Sequence, residues 1–152
     1  MIIIGYQGIG KSTMAGQNGC IDLESGNFWV DGKRAEDWYI PYCNIANHLS
    51  EQGYIVFVSS HEVVRKELQK SKEKVVAICP ATELRDEWVA KLEERYNRTG
   101  LDKDFKAWKN AEDRYVANIM EIANSGIPVF WINGMEYNLS GIVGHLGGVN
   151  KC

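Results

Sequence analysis

Residues 5–12 read Gly5-Tyr6-Gln7-Gly8-Ile9-Gly10-Lys11-Ser12, with Thr13 following. The pattern is G-x-x-x-x-G-K-S, and its spacing suits one kind of chemistry. Glycines let successive backbone N–H groups curl inward around an anion. A helix that opens directly after such a loop adds the positive end of its dipole. Lys11 then reaches the β- and γ-phosphates of a nucleoside triphosphate, and the Ser12 hydroxyl serves Mg²⁺. Gly5, Gln7, Gly8, Ile9, Gly10, Lys11, Ser12 and Thr13 are therefore the expected binders of ATP and Mg²⁺. The loop has Lys-Ser where a G-x-G-x-x-G dinucleotide loop has its third glycine, which excludes that reading.

A phosphate loop needs a strand before it and a helix after it. Met1–Gly5 is a β-branched run that ends on glycine, and Lys11–Ala15 supplies a short helix before Gly16 and Gly19. Further short apolar runs are Cys20–Leu23, Tyr54–Val58, Val75–Cys79 and Ile127–Ile132. Runs that are apolar at every position fit strands covered on both faces, as in a parallel sheet. Between them, apolar residues recur at helical steps: Trp38, Tyr42, Ile45, Leu49; Leu84, Trp88, Leu92, Tyr96; and Phe105, Trp108, Ala111, Tyr115, Ile119, Ile122. Each set makes one stripe of an amphipathic helix. Ser59-x-x-Glu62 reads as a capping box, and Asn138 as the start of a last helix before a Gly-rich end reaching Val149. Five strands alternating with helices predict a single doubly wound α/β domain over residues 1–152.

Composition narrows the partners. Seventeen Lys+Arg stand against 20 Asp+Glu, a net charge of −3, which argues against a nucleic-acid polymer. The four cysteines, Cys20, Cys43, Cys79 and Cys152, are widely spread and form no metal-ligand or disulfide pattern. No apolar run reaches the ~18 residues of a membrane span, and MIIIGYQG lacks the basic and apolar regions of a secretion signal. A reducing cytoplasm is the expected location.

The runs after the loop discriminate among phosphate-loop proteins. Ile55–Val58 leads into Ser59-Ser60, Val75–Ile78 into Cys79-Pro80 and Val129–Ile132 into Asn133, so none delivers the acid expected of a Walker-B strand. Cys20-Ile21-Asp22-Leu23-Glu24 alone puts acids at a strand end, and no N-K-x-D guanine motif occurs. The order of parts resembles the small P-loop nucleoside and nucleotide kinases, the adenylate, shikimate and thymidylate kinase group. With CIDLES, GYIVFVSSH and AICP, it also resembles small predicted kinases of bacterial and phage genomes. That resemblance implies a three-layer P-loop NTPase fold: five parallel strands ordered 2-3-1-4-5 with helices on both faces. It implies transfer of the γ-phosphoryl of ATP to a nucleotide or nucleoside. An acceptor segment would cover about 26–49 and a cationic lid about 82–100. Asp22 would stand near the acceptor hydroxyl and Mg²⁺, so Ser12 and Asp22 are the implied metal residues and Lys11, Asp22 and Arg95 the implied catalytic ones. The missing Walker-B acid keeps two other readings open, a non-catalytic nucleotide-binding module and a simple NTPase.

The remaining candidates carry a functional and a structural reading each. Asp22 and Glu24 flank Leu23 and point to one side of an extended segment, which suits proton acceptance and metal waters but also a solvated loop. Lys91, Arg95 and Arg98 share a helix face, either closing over the transferred phosphoryl or lying solvated beside Glu87 and Glu94. Ser59, His61 and Arg65 follow the third strand and would face the acceptor; His61 also suits a helix-start hydrogen bond. Phe28 is the expected base stacker, with Trp38 and Tyr42 in the core.

Overall fold

The computed structural model describes residues 1–17, 19–31 and 33–147. In chain order these form β1 (Ile2–Gly5), α1 (Lys11–Met14), β2 (Cys20–Asp22), a 3-10 turn (Ser25–Phe28), β3 (Trp29–Val30), β4 (Lys33–Arg34), α2 (Tyr39–Glu51) and β5 (Ile55–Val58). Then come α3 (Glu62–Leu68), β6 (Val75–Pro80), a second 3-10 turn (Thr82–Leu84), α4 (Arg85–Thr99), α5 (Asp102–Ala123), β7 (Val129–Ile132) and α6 (Leu139–Gly147). The Gly-rich end expected after the last helix lies outside the described residues, as does Cys152. Among the described residues no helix is long and apolar enough to cross a membrane.

The protein is an α/β fold with a five-stranded sheet in the order β2-β5-β1-β6-β7, and every neighbouring pair runs parallel. The strand numbers depart from the expected 2-3-1-4-5 because β3 and β4, which no apolar run announced, pair antiparallel as a separate hairpin between β2 and α2. All four residues of β1 are buried, as are Val56, Phe57 and Val58 of β5. Successive strand side chains point to opposite faces, so both faces of these central strands are covered. That burial explains runs that are apolar at every position rather than alternating.

The helical stripes are partly as expected. Trp88 and Leu92 of α4 are buried, as are Ala111, Tyr115, Ile119 and Ile122 of α5. Phe105, assigned to the same stripe, is 38% exposed and Ile45 of α2 is 41% exposed. The Ser59–Glu62 capping box does not form. α3 begins at Glu62 with His61 as its N-cap and no side-chain cap bond, and Ser59 Oγ instead sits 2.7 Å from His61 Nδ1. Before α6, Asn138 Oδ1 does accept the Gly141 N–H at 2.9 Å.

Candidate functional site

Parallel pairing fixes where the site lies, because every strand of the sheet ends on one edge. Asp22 and Ile3 are each in register with Phe57, and Gly5 opens the loop two residues beyond Ile3. Leu23 and Ser59, which follow β2 and β5, are joined by one side chain. The Tyr42 hydroxyl donates to Leu23 O at 2.6 Å and accepts the Ser59 N–H at 2.9 Å. Buried Tyr42 thus ties the two strand ends that carry Asp22 and Ser59.

The loop itself is clamped from outside. Trp88 Nε1 of α4 donates to Gln7 O at 2.9 Å, and the Tyr137 hydroxyl donates to Ile9 O at 2.8 Å. Two carbonyls are thereby held outward. Gly8 and Gly10 take positive φ angles of 88 and 107, which side chains resist. A Cβ on Gly8 would lie 2.9 Å from Leu92 Cδ2 and 3.1 Å from Trp88 Nε1, so glycine is also the residue that lets α4 approach. α1 is a single turn of four residues with no side-chain cap.

A small cleft of about 120 Å³ opens over the loop. Gln7, Gly8, Gly10, Lys11 and Ser12 line it together with Asp22, Glu24, Arg95, Lys103 and Asp104. Lys11 Nζ rests 3.4 Å from Gly5 O. Burial holds its pKa below the usual lysine value; Asp22 and Glu24 oppose that, and Arg95 adds to it. Burial likewise raises the Asp22 carboxyl, with Lys11 working against the rise and Glu24 for it. Lys11 and Asp22 are thus each held where the ionised form is costly, and each offsets part of that cost to the other.

Beside it lies a larger cleft of about 610 Å³, inside the ~300–1,000 Å³ range of small-molecule sites. Gln7, Lys11, Glu24, Lys103 and Ala107 border both spaces. Ser59, Ser60, His61 and Arg65 line the larger one from the β5 side, Arg34 from β4, and Lys106, Asn110 and Asn118 from α5. Partial desolvation, then the charges of Arg34 and Lys11, hold the His61 imidazole below its usual pKa. The Trp38 ring meets that imidazole edge-on with centroids 5.4 Å apart.

Several expected residues take other places. Among the expected lid cations, Arg95 borders the small cleft, fixed by a 3.0 Å ion pair with buried Asp104. Thr99 Oγ1 donates to the other oxygen of that carboxylate. Lys91 instead lies over the Trp88 ring at 4.2 Å and donates to the Tyr137 hydroxyl at 3.0 Å. Arg98 is exposed and borders neither cleft. The span 82–100 is not a free flap, because Trp88 and Leu92 pin α4 to the loop and α4 packs along α5. Phe28, the expected base stacker, packs on Tyr42 and Trp38, at centroid distances of 5.4 and 6.2 Å, and borders neither cleft. Among the described residues of 26–49, Gly26 and Arg34 reach the larger cleft. Arg65 borders it but is 7% exposed, with Nε on Ser60 O at 3.1 Å and Nη1 on Glu121 O at 3.4 Å, so it braces the wall.

Lys103, Lys106 and Asn110 reach the clefts without belonging to any sequence motif. They recur at steps of 3 and 4, a polar face on α5 opposite the apolar stripe. Helical periodicity showed that face, and only packing showed that it meets a cleft.

No family model and no curated protein matches this chain. The chemistry of the site therefore rests on its own residues.

Proposed function

We propose that the protein is a P-loop phosphotransferase that moves the γ-phosphoryl of ATP to a nucleotide or nucleoside held in the larger cleft. The observation that carries this reading is the junction of the two clefts. Loop, carboxylates and cations converge on a small space that opens into one of acceptor size. A plain phosphate-binding loop needs no second cleft.

Phosphoryl transfer asks the protein mainly for positioning and charge stabilisation. In this reading the loop N–H groups and Lys11 hold the β- and γ-phosphates. Arg95 and Lys103 balance charge on the transferring group. Asp22 accepts the acceptor's hydroxyl proton, and its raised pKa brings it nearer to working pH than an ordinary carboxylate. His61 and Ser59 take hydrogen bonds from the acceptor. Mg²⁺ usually keeps several waters and uses one or two carboxylates beside substrate phosphates. Ser12, Asp22 and Glu24 offer oxygens of that kind in one cleft, and no group of three or more His, Cys, Asp or Glu among the described residues would hold a metal alone. When bound, Mg²⁺ supplies charge neutralisation on the phosphate oxygens.

The test is a panel of nucleosides and nucleotides offered with Mg-ATP, monitoring ADP and phosphorylated product. Acceptor-dependent transfer that disappears in Lys11→Ala is expected. ATP turnover indifferent to every acceptor overturns the proposal. It would favour the alternative that the strand ends suggest, since β5, β6 and β7 are followed by Ser59, Ala81 and Asn133 and carry no Walker-B acid. That alternative is a nucleotide-binding module or a simple NTPase.

A further inference from the structure

Gln7 does more than line the loop. Its Nε2 donates to Ala107 O and to Asn110 Oδ1, both at 3.1 Å, with the Tyr6 hydroxyl at 3.4 Å as a third acceptor. An amide nitrogen has two hydrogens, so this group is oversubscribed. Asn110 Oδ1 also accepts Asn118 Nδ2 at 2.9 Å, which uses both its lone pairs. Asn118 Oδ1 in turn accepts Arg114 Nε at 3.2 Å. A continuous chain of side-chain hydrogen bonds thus runs from the loop along α5.

That chain crosses a break. Arg114 has φ −138 and ψ 21 inside α5, outside helical values. Asn110 and Asn118 stand four residues before and after it, so their bond spans the break. The half beyond is fixed in the core by buried Tyr115, Ile119 and Ile122. The half before it carries Lys103 and the Asp104 that holds Arg95. The partner helix enters at the same level through the 3-10 turn Thr82–Leu84. Tyr115 OH donates to Ala81 O at 2.8 Å there, and Arg85 Nη2 to Glu112 O at 2.7 Å.

We propose that Gln7 is a positioning residue. Through Asn110 and Asn118 it couples filling of the glycine loop to the angle of α5 at Arg114, and so to the placing of Lys103 and Arg95. The inference rests on the phosphate-loop reading above. Gln7 borders both clefts, so a ligand oxygen in either competes for its amide hydrogens. Loss of one partner at Gln7 changes what Asn110 can hold across the break.

The test uses the full chain and Mg-ATP as probe. Binding is read first by calorimetry, then by amide hydrogen exchange over residues 102–113. Mg-ATP should slow exchange there in the wild type and not in Asn118→Leu. Asn118→Leu should weaken Mg-ATP about 5-fold, and the double variant with Gln7→Leu should bind no worse than Gln7→Leu alone, the non-additivity of residues in one network. Additive losses, wild-type affinity in Asn118→Leu, or protection of 102–113 that survives the substitution overturn the coupling. Wild-type binding with unchanged exchange overturns it while leaving the phosphate-loop reading intact. Failure of the wild type to bind Mg-ATP overturns both.

Discussion

Asp22 is a carboxylate that folding makes harder to ionise, through burial and the nearness of Glu24, in spite of Lys11. A carboxyl with a raised native pKa binds its proton more tightly folded than unfolded. Stability therefore falls as pH rises from the ordinary carboxylate pKa through the raised one. Asp22→Asn is neutral throughout, so it should melt above the wild type at neutral pH and lose that part of the pH dependence. On the proposed function, the same substitution should lower kcat about 10²–10⁴-fold, the range of a general acid–base group, with little change in ATP affinity. In the wild type, the acid limb of kcat should fall at higher pH than for an unshifted Asp. Melting curves and pH–rate profiles of the two proteins check both signs. The three expected lid cations, Lys91, Arg95 and Arg98, divide as their partners do. Arg95→Ala should lower kcat, whereas Arg98→Ala should stay within about 0.5 kcal/mol of wild-type stability and leave kcat unchanged. Lys91→Met should cost about 1–3 kcal/mol of stability through the lost aromatic contact and charged hydrogen bond, measured by urea unfolding.

α4 shows at the scale of an element why a stripe is easier to read than its surroundings. Steps of four between Leu84, Trp88, Leu92 and Tyr96 announce a buried face, and Trp88 and Leu92 are buried. What that face packs on is non-local: Leu92 and Trp88 meet the loop at Gly8, some eighty residues earlier. The same contact makes a prediction. Gly8→Ala adds a methyl 2.9 Å from Leu92 Cδ2 at a φ of 88. It should cost about 1–3 kcal/mol, the range for overpacking a filled site, and weaken ATP by deforming the loop. Urea unfolding and ATP titration of the variant are the measurements. Arg95 was one of three equivalent cations on a helical face. Its selection came from Asp104, on the next helix, buried at 3% exposure and aimed across the turn.

The whole molecule is held in working shape at the sheet edge. Tyr42→Phe removes the hydroxyl that bridges Leu23 O and Ser59 N–H. The unpaired, part-buried groups should cost about 1–3 kcal/mol. Because the bridge sets Asp22 against Ser59, kcat should fall with stability while the loop's ATP affinity stays close to wild type. Chemical unfolding with parallel ATP titration separates the two effects. On the proposed function, Mg-ATP at 100 times its dissociation constant should stabilise the chain by about 2.7 kcal/mol, seen as a rise in melting temperature absent from Lys11→Ala.

The sequence by itself determined the parallel sheet and the loop, because both are local. Runs such as Ile2–Ile4 and Val56–Val58 are apolar at every position only when both faces are covered, and Gly5–Ser12 carries its geometry in eight consecutive residues. Phe28 and Lys91 take places that residue type alone does not fix: type sets what a side chain is able to do, and neighbours set where it lies. An aromatic near a cleft packs inward when Tyr42 and Trp38 offer it a face. A lysine near the glycine loop turns away when Trp88 and Tyr137 hold it. Asp31, at φ 51, begins an Asp-Gly turn signal, and the β3–β4 pairing beside it brings Arg34 to the larger cleft. Only tertiary structure brought the polar face of α5 to the loop. Helical periodicity shows that a face is polar, and the pairing of distant elements decides what it meets.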